Sequence, residues 1–247
     1  MKKRGIFTIW VALSLILIGL NAQATVIDDS RYGSETYWGG RVVNSSPTHY
    51  GDVIGYPEFS LNAMTGTLSG NVMTVVIMGD YFKRQGLAGS LGPGDLYINK
   101  NGWSVSGTGP HYYDDIFSSS EGWDYVIHLD TNTLTGNIYN INFSDITMTS
   151  APSGYVYREG QAWMGGYGDP VPSNVTGSID SSSLTYIFDV TNLGLGNEIG
   201  FHWTMQCGND IIEGNDPLQV QVPEPGTIML IGTGLVGLAG ALRRRKK

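Results

Sequence analysis

A thiol and an imidazole can act together as a nucleophilic pair, and Cys207 lies five residues from His202. In an extended strand an odd separation sends two side chains to opposite faces. The pair is therefore not expected to meet, and Cys207 should point inward beside Trp203 and Met205 as a buried structural cysteine. Zinc needs several Cys or His ligands at close spacing, whereas His49, His111, His128 and His202 are scattered singly. Calcium needs only oxygens. Asn209, Asp210 and Glu213 offer one local set, with Asp95, Asp114, Asp115 and Asp124 elsewhere. No regular calcium-loop motif accompanies them, so Asp210 and Glu213 stand as candidates for one structural calcium, and no other cofactor is expected. Glycoside hydrolysis would need two carboxyl groups flanking one bond. Glu121, Asp124 and Glu159 can be named, yet their spacing selects no pair and no catalytic residue is assigned. Sugar rings stack on flat aromatic faces, which Trp38, Trp103, Trp123 and Trp163 could offer. Trp103 and Trp163 sit in Gly-rich stretches and are the candidates for exposed stacking residues.

The elements that must position these residues read as strands. Odd positions of the segment 123–130 are all apolar and three of its four even ones are polar, as a half-buried strand requires. Ile199, Phe201, Trp203, Met205 and Cys207 repeat the alternation, as do Leu184, Tyr186, Phe188 and Val190. Residues 72–78 are nearly all apolar, which predicts a strand covered on both faces; 95–98 and 138–143 are shorter candidates. Turn signals separate them at Ser69-Gly70-Asn71, Gly92-Pro93-Gly94, Asn101-Gly102, Asp130-Thr131-Asn132 and Gly194-Leu195-Gly196. No stretch between the two ends keeps an apolar helical face over three turns, and no fixed repeat marks a propeller or solenoid. The expected fold is all-β, an antiparallel β-sandwich of two sheets, jelly-roll-like, with helix only at the two ends.

Those ends have their own signatures. Lys2, Lys3 and Arg4 precede an uncharged run over 6–20, and Ala22-Gln23-Ala24 supplies the small-residue pattern cut by signal peptidase. Residues 1–24 thus read as a signal peptide, 25–222 as one β domain, and 223–247 as a tail. The body carries 6 basic and 21 acidic residues, a net of −15, whereas the whole chain shows only −8. Without a basic cluster it cannot gather phosphates, so nucleic acid is not an expected partner. One cysteine cannot form an internal disulfide, and the stability of an exported domain must come from its core.

The tail opens with Pro223-Glu224-Pro225-Gly226, an extended stretch that ends the last strand. An uncharged segment over 227–242 follows, then Arg243, Arg244, Arg245, Lys246 and Lys247 as a membrane stop. At about 1.5 Å per residue the segment makes roughly 24 Å of helix, within reach of a bilayer core of about 30 Å if the flanking cations snorkel. Basic residues stay cytoplasmic, which places the body across the inner membrane and agrees with the signal peptide. Thr233, Gly237 and Ala241 reflect the Gly-rich style of the segment.

This three-part tail resembles the PEP-CTERM sorting signal of Gram-negative bacteria, with Pro223, Glu224 and Pro225 as its motif. The resemblance implies recognition by an exosortase, a membrane transpeptidase that cuts near the motif, and association with extracellular polysaccharide or biofilm matrix. The body also resembles certain PEP-CTERM proteins, through Gly94-Asp95-Leu96-Tyr97-Ile98 with Asn101-Gly102-Trp103, through Trp123-Asp124-Tyr125, and through the stretch from His202 and Trp203 to Cys207-Gly208-Asn209-Asp210 and Glu213-Gly214. That likeness bears on fold more than activity. The expectation is a non-enzymatic exported protein, anchored in the inner membrane by its tail and then sorted to the cell surface or matrix, where it is structural. A carbohydrate-binding module is the alternative, and a secreted glycoside hydrolase the outside alternative. Few exposed aromatics would favour the structural role, a concave aromatic groove binding, and two facing buried carboxylates in such a groove the enzyme.

Overall fold

The structure is a computed structural model that describes residues 25–28, 41–42, 59–84, 92–107, 115–149 and 158–217. The chain divides into two units, Ala22–Gln219 and a second composed of Met1–Asn21 and Val220–Lys247, and every described residue belongs to the first. Residues 1–24, read from the sequence as a signal peptide, and the tail 223–247 lie outside the described residues. Among those described, no helix is long and apolar enough to cross a membrane.

Among the described residues twelve strands form: β1 Thr25–Asp28, β2 Arg41–Val42, β3 Leu61–Ser69, β4 Val72–Gly79, β5 Leu96–Asn99, β6 Tyr125–Asp130, β7 Thr135–Met148, β8 Arg158–Glu159, β9 Ala162–Ile179, β10 Ser183–Asp189, β11 Glu198–Thr204 and β12 Ile211–Pro217. Helix among the described residues is 3-10 only, in Asp80–Arg84, Ser119–Glu121 and the single residue Phe59. All strand pairs are antiparallel, as expected for this composition. Ten strands make one sheet in the order β1-β3-β4-β10-β9-β7-β6-β5-β11-β12, and β2 pairs with β8 apart from it. The two layers expected of a sandwich are thus halves of one continuous sheet, rolled until its edges approach. A Cβ on Gly214 of β12 would lie 2.7 Å from Ile27 of β1, which shows how close the first and last strands come.

Local chemistry sets the turns. Gly70, at φ +59°, supplies the left-handed residue of the two-residue link between Ser69 and its partner Val72. The Asp130 carboxylate accepts from the amides of Asn132 and Thr133 at 2.8 and 3.4 Å, and Asp180 does the same for Ser182 and Ser183. Residues 72–78 depart from expectation. Met73, Val75 and Ile77 are buried, but Val72 is exposed and Thr74, Val76 and Met78 are half-buried. An antiparallel sheet with one face inside covers only alternate positions, even where both are apolar.

Between the two halves lies the main core. Leu61, Met64, Met73, Ile77, Tyr186 and Phe188 come from one side, and Leu96, Ile98, Ile127, Phe201, Trp203 and Ile212 from the other. The Trp203 indole N–H reaches the Tyr186 hydroxyl at 3.1 Å and the Gly94 carbonyl at 3.0 Å, so its polar edge is satisfied where it crosses the core. A second, smaller core of Tyr97, Trp103, Phe117, Trp123, Val126 and Ala162 covers the opposite face of β5, β6 and β11. Long strands β7 and β9 contribute its rim, with Ile141, Phe143, Ile146 and Met148 packed against it. Their pairing slips repeatedly between Tyr139 and Ile146, and Gly165 and Gly166 take φ of +95° and +82° opposite that slip. Such bulges bend the ribbon.

Candidate functional site

The second core is organised by a row of side chains running across five strands. Tyr139 of β7 faces Val126 of β6, Val126 faces Tyr97 of β5, Tyr97 faces His202 of β11, and His202 faces Glu213 of β12. Strand alternation sends their neighbours Ile98, Phe201, Trp203 and Ile212 into the main core and this row to the other side. His202 and Glu213 are the polar members, with side chains 0% and 1% exposed.

His202 is fully committed. Its Nε2 lies 2.7 Å from the Ala162 carbonyl oxygen and its Nδ1 lies 2.5 Å from Glu213 Oε1. A carbonyl can only accept, so Nε2 carries a proton. A second proton must then lie between Nδ1 and the carboxylate, since two bare acceptors would repel at that distance. Burial alone would depress the imidazolium, but the charge and hydrogen bond of Glu213, the Ala162 carbonyl and the charge of Glu121 outweigh it and raise its pKa above the ordinary histidine value. Rings of Phe117, Tyr97 and Trp123 enclose the imidazole at centroid separations of 4.9, 5.6 and 5.8 Å.

A loop cap closes over this row. Glu121 Oε1 accepts from the Trp103 indole at 3.0 Å, and its Oε2 accepts from the Trp123 indole at 3.2 Å and the Ser118 amide at 2.8 Å. Phe117 stacks on Trp123 at 5.2 Å and 9°. Asn215 of β12 ties the cap down, accepting from the Trp103 amide at 2.7 Å and donating to its carbonyl at 2.8 Å. Asp115 accepts through Oδ1 from the amide and hydroxyl of Ser106, at 3.0 and 2.5 Å. Gln161 donates from Nε2 to the Asp115 carbonyl at 3.0 Å.

Burial, and next the charge of Glu213, push the Asp115 carboxyl up to about 7 against the pull of Ser106. The same two causes raise Glu121, opposed by its indole and amide donors. Three carboxyl groups, Asp115, Glu121 and Glu213, therefore share this buried layer with one imidazole. A cleft of about 480 Å³ opens beside it, lined by Ile27, Trp103, Val105, Ile211, Glu213 and Asn215 among others.

A second polar group lies nearer the surface. Asp95 is 3% exposed. Its Oδ1 meets His128 Nδ1 at 2.8 Å, and its Oδ2 accepts from the Tyr167 hydroxyl at 2.7 Å and the Gly165 amide at 3.0 Å. The hydrogen bond to Asp95 raises the His128 pKa, burial opposing. Among the described residues no serine, threonine or cysteine side chain hydrogen-bonds either histidine.

The residues singled out from sequence fall in different places. Cys207 packs partly against the main core while His202 faces the second, so the two do not pair, and burial lifts the thiol to about 11. Trp103 is 6% exposed and packs into the second core within the cap, and Trp163 is half-buried on strand β9 and not in a loop. Asp210 and Glu213 diverge. Asp210 accepts from the Leu61 and Ile211 amides at 2.6 and 3.0 Å, fastening the β11–β12 turn to the start of β3, whereas Glu213 holds His202. Among the described residues no three His, Cys, Asp or Glu side chains are arranged to hold a metal ion. Asp124 pairs with Lys100 at 3.0 Å, apart from Glu121, and Glu159 lies in β8. Trp38, His49, His111, Asp114, the motif Pro223, Glu224 and Pro225, and the stop from Arg243 through Lys247 lie outside the described residues.

Gln161 and Ser106 carried no sequence signal. The His202 and Glu213 pair did: a hairpin turning about Gly208 places residue 202 opposite 213 by counting alone.

No curated protein and no solved structure matches this chain. Residues 221–246 match the family model of the PEP-CTERM protein-sorting motif. The body thus described is carried by a chain with a PEP-CTERM sorting signal, that of an exported protein anchored in the membrane through this signal and processed by an exosortase.

Proposed function

We propose that the β domain is a non-catalytic structural component of an extracellular polysaccharide or biofilm matrix, delivered to the cell surface by its sorting tail. The observation that supports this reading is that, among the described residues, every aromatic side chain is buried or half-buried. Among the described residues the exposed large hydrophobic side chains are Val26, Val72, Ile116 and Ile187, none of them aromatic. A sugar-binding face needs flat rings in contact with solvent, and both tryptophans suited to that role are buried or half-buried. Glu121, the carboxyl best placed for acid catalysis, is held by three donors from the protein itself, so its lone pairs are already engaged.

The carbohydrate-binding reading draws on the cleft beside β12, where Trp103 and Asn215 contribute to the lining. Asn215 spends both its amide oxygen and nitrogen on the Trp103 backbone, which leaves it little to offer a hydroxyl. The test is fractionation of the producing cells with mass spectrometry of the mature chain, followed by co-sedimentation with the producer's own matrix and a glycan array. The structural reading expects the domain in the matrix fraction, a C-terminus cut near Pro223, and no glycan bound on the array. A domain retained wholly in the inner membrane overturns it, and selective glycan binding replaces it with the second reading.

A further inference from the structure

The outer face of strands β3, β4, β10 and β9 is built from side-chain rows that cross the sheet. Met64, Ile77 and Leu184 stand in register and enter the main core, as do Val75 and Tyr186, so the alternate rows point outward. One outward row runs from Thr67 through Thr74, Ile187 and Thr176 to Thr135 of β7. A second runs from Val26 of β1 through Thr65, Val76 and Thr185 to Ser178. A third holds Ala63, Met78 and Ser183. All these residues are exposed or half-buried.

No charged residue stands in the three rows, although the body carries 21 acidic and 6 basic residues. Carboxylates occupy the margins in register: Asp28 opposite Ala63, Asp189 opposite Val72, and Asp130 opposite Thr135. Three of the four exposed large hydrophobic side chains among the described residues, Val26, Val72 and Ile187, belong to this face. An uncharged centre with a charged margin is the anatomy of a protein interface. Thr, Val and Ile hold few rotamers, so covering them costs little side-chain entropy.

The same chemistry selects the partner. A sugar surface needs aromatic rings to stack on, and an anionic membrane or polymer needs lysine or arginine; the rows contain neither. A basic protein would settle on carboxylates, which lie outside the rows. An uncharged β-branched face is matched by another of its kind. In a domain of net −15 it is also where two copies can meet with their charges held apart. The six strands from β1 to β7 and the seven residues of β10 set its extent. At about 4.8 Å between strands and about 3.4 Å per residue this is about 24 by 24 Å, or about 1,100 Å² over two copies, at the lower bound for a specific interface.

We propose that this face is a self-association surface, on which two copies of the chain pair about a two-fold axis, sheet against sheet, with Thr74, Val76, Thr185 and Ile187 at the centre. Pairing is weak and strengthens with salt, because the acidic margins repel and salt screens them. Delivery to a matrix and pairing of copies are separately testable, the first by cell fractionation and the second in solution.

The experiment follows the full chain in a density-matched mild detergent by sedimentation velocity, from about 1 to 100 µM. Half-association is expected near about 10 µM, and raising sodium chloride from about 0.05 to 0.5 M should tighten it several-fold. Ile187→Lys and Ile187→Glu each set like charges across the axis and should weaken pairing at least about tenfold. An equimolar mixture of the two variants should pair at least as tightly as wild type. Ile187 is 38% exposed, so either charge should leave the melting temperature close to wild type. Thr185→Lys and Thr185→Glu repeat the comparison should the first pair fail to fold. A wild-type chain that stays monomeric at the highest concentration overturns the proposal. So do undiminished pairing in the charged variants, which would place the contact on another surface or in the uncharged tail segment, and pairing that loosens as salt is raised.

Discussion

Glu213→Leu removes the carboxylate from a pair whose side chains are 0% and 1% exposed, and His202 is left with no partner at Nδ1. Breaking a buried ion pair by removing one member costs about 3–5 kcal/mol, because the remaining group keeps its desolvation cost without its Coulombic return. For a domain of this size each kcal/mol is about 2–4 °C, so the melting temperature should fall by about 10 °C. Glu213→Gln is milder. Its amide N–H can donate to Nδ1 of a neutral imidazole whose Nε2–H still serves the Ala162 carbonyl, so only the charge assistance is lost, about 1–2 kcal/mol. Phe117, Tyr97 and Trp123 surround the imidazole, and a phenyl ring fits that setting. The double variant His202→Phe with Glu213→Leu should therefore recover much of the loss, giving a coupling of at least about 2 kcal/mol in a double-mutant cycle. The assay is urea unfolding in chelator at pH 6. Folding raises the His202 pKa, so the pair's contribution is complete below the unfolded value of about 6.5 and fades as pH rises through the folded one. Additive losses for the two single changes, or a Glu213→Leu loss under about 1 kcal/mol, would refute a coupled buried pair.

Other expectations follow from the same geometry. Asp115, raised from 3.8 to about 7, binds its proton more tightly when folded, so stability in chelator should decline as pH climbs from about 4 to 7; Asp115→Asn should flatten that decline, and an unchanged profile in a melting series would contradict the burial of this carboxyl. Cys207, lifted to about 11, should react with a thiol reagent far more slowly at pH 7.4 in native protein than in urea, and equal rates would show it exposed. Gly94→Ala would put a Cβ 2.1 Å from the Thr204 carbonyl oxygen and 2.6 Å from that of Trp163, both backbone atoms with no room to retreat, and should cost about 3 kcal/mol in urea unfolding. Trp103→Phe keeps the ring in the cap but leaves one Glu121 oxygen short of a donor, for a loss of about 1–3 kcal/mol in the same assay.

Alternation made most of the short strands readable. Leu184, Tyr186 and Phe188 all enter the main core, as do Ile199, Phe201 and Trp203. The 18-residue β9 was not readable, because Gly165, Gly166, Gly168, Pro170 and Pro172 are the residues that sequence rules assign to turns. It is a strand because β7 and β10 pair with it on either side, and Pro170 is tolerated opposite Tyr139 where the register slips. Part of the site was within reach, since an eleven-residue separation across a hairpin sets His202 against Glu213. Asp115 and Gln161 meet across 46 residues of chain, and no local pattern announces such a pairing.

The second core also explains how this body manages without a disulfide. Cys207 is the chain's one cysteine and is free, while the main core is held by backbone pairing along the curved sheet and by side-chain bonds such as Asp210 to the Leu61 amide. The cap of Trp103, Phe117, Glu121 and Trp123 adds a layer whose polar edges bond inward, through Asn215, Asn99 and Glu121, so that indoles and carboxylates are withdrawn from solvent together. Withdrawing them consumes the aromatic rings that a sugar-binding face would have displayed. It also buries an excess of carboxylate in a domain whose net charge is already −15. Among the described residues the sharpest chemistry lies inside, where it governs stability, and that is the place the proposed structural role expects it.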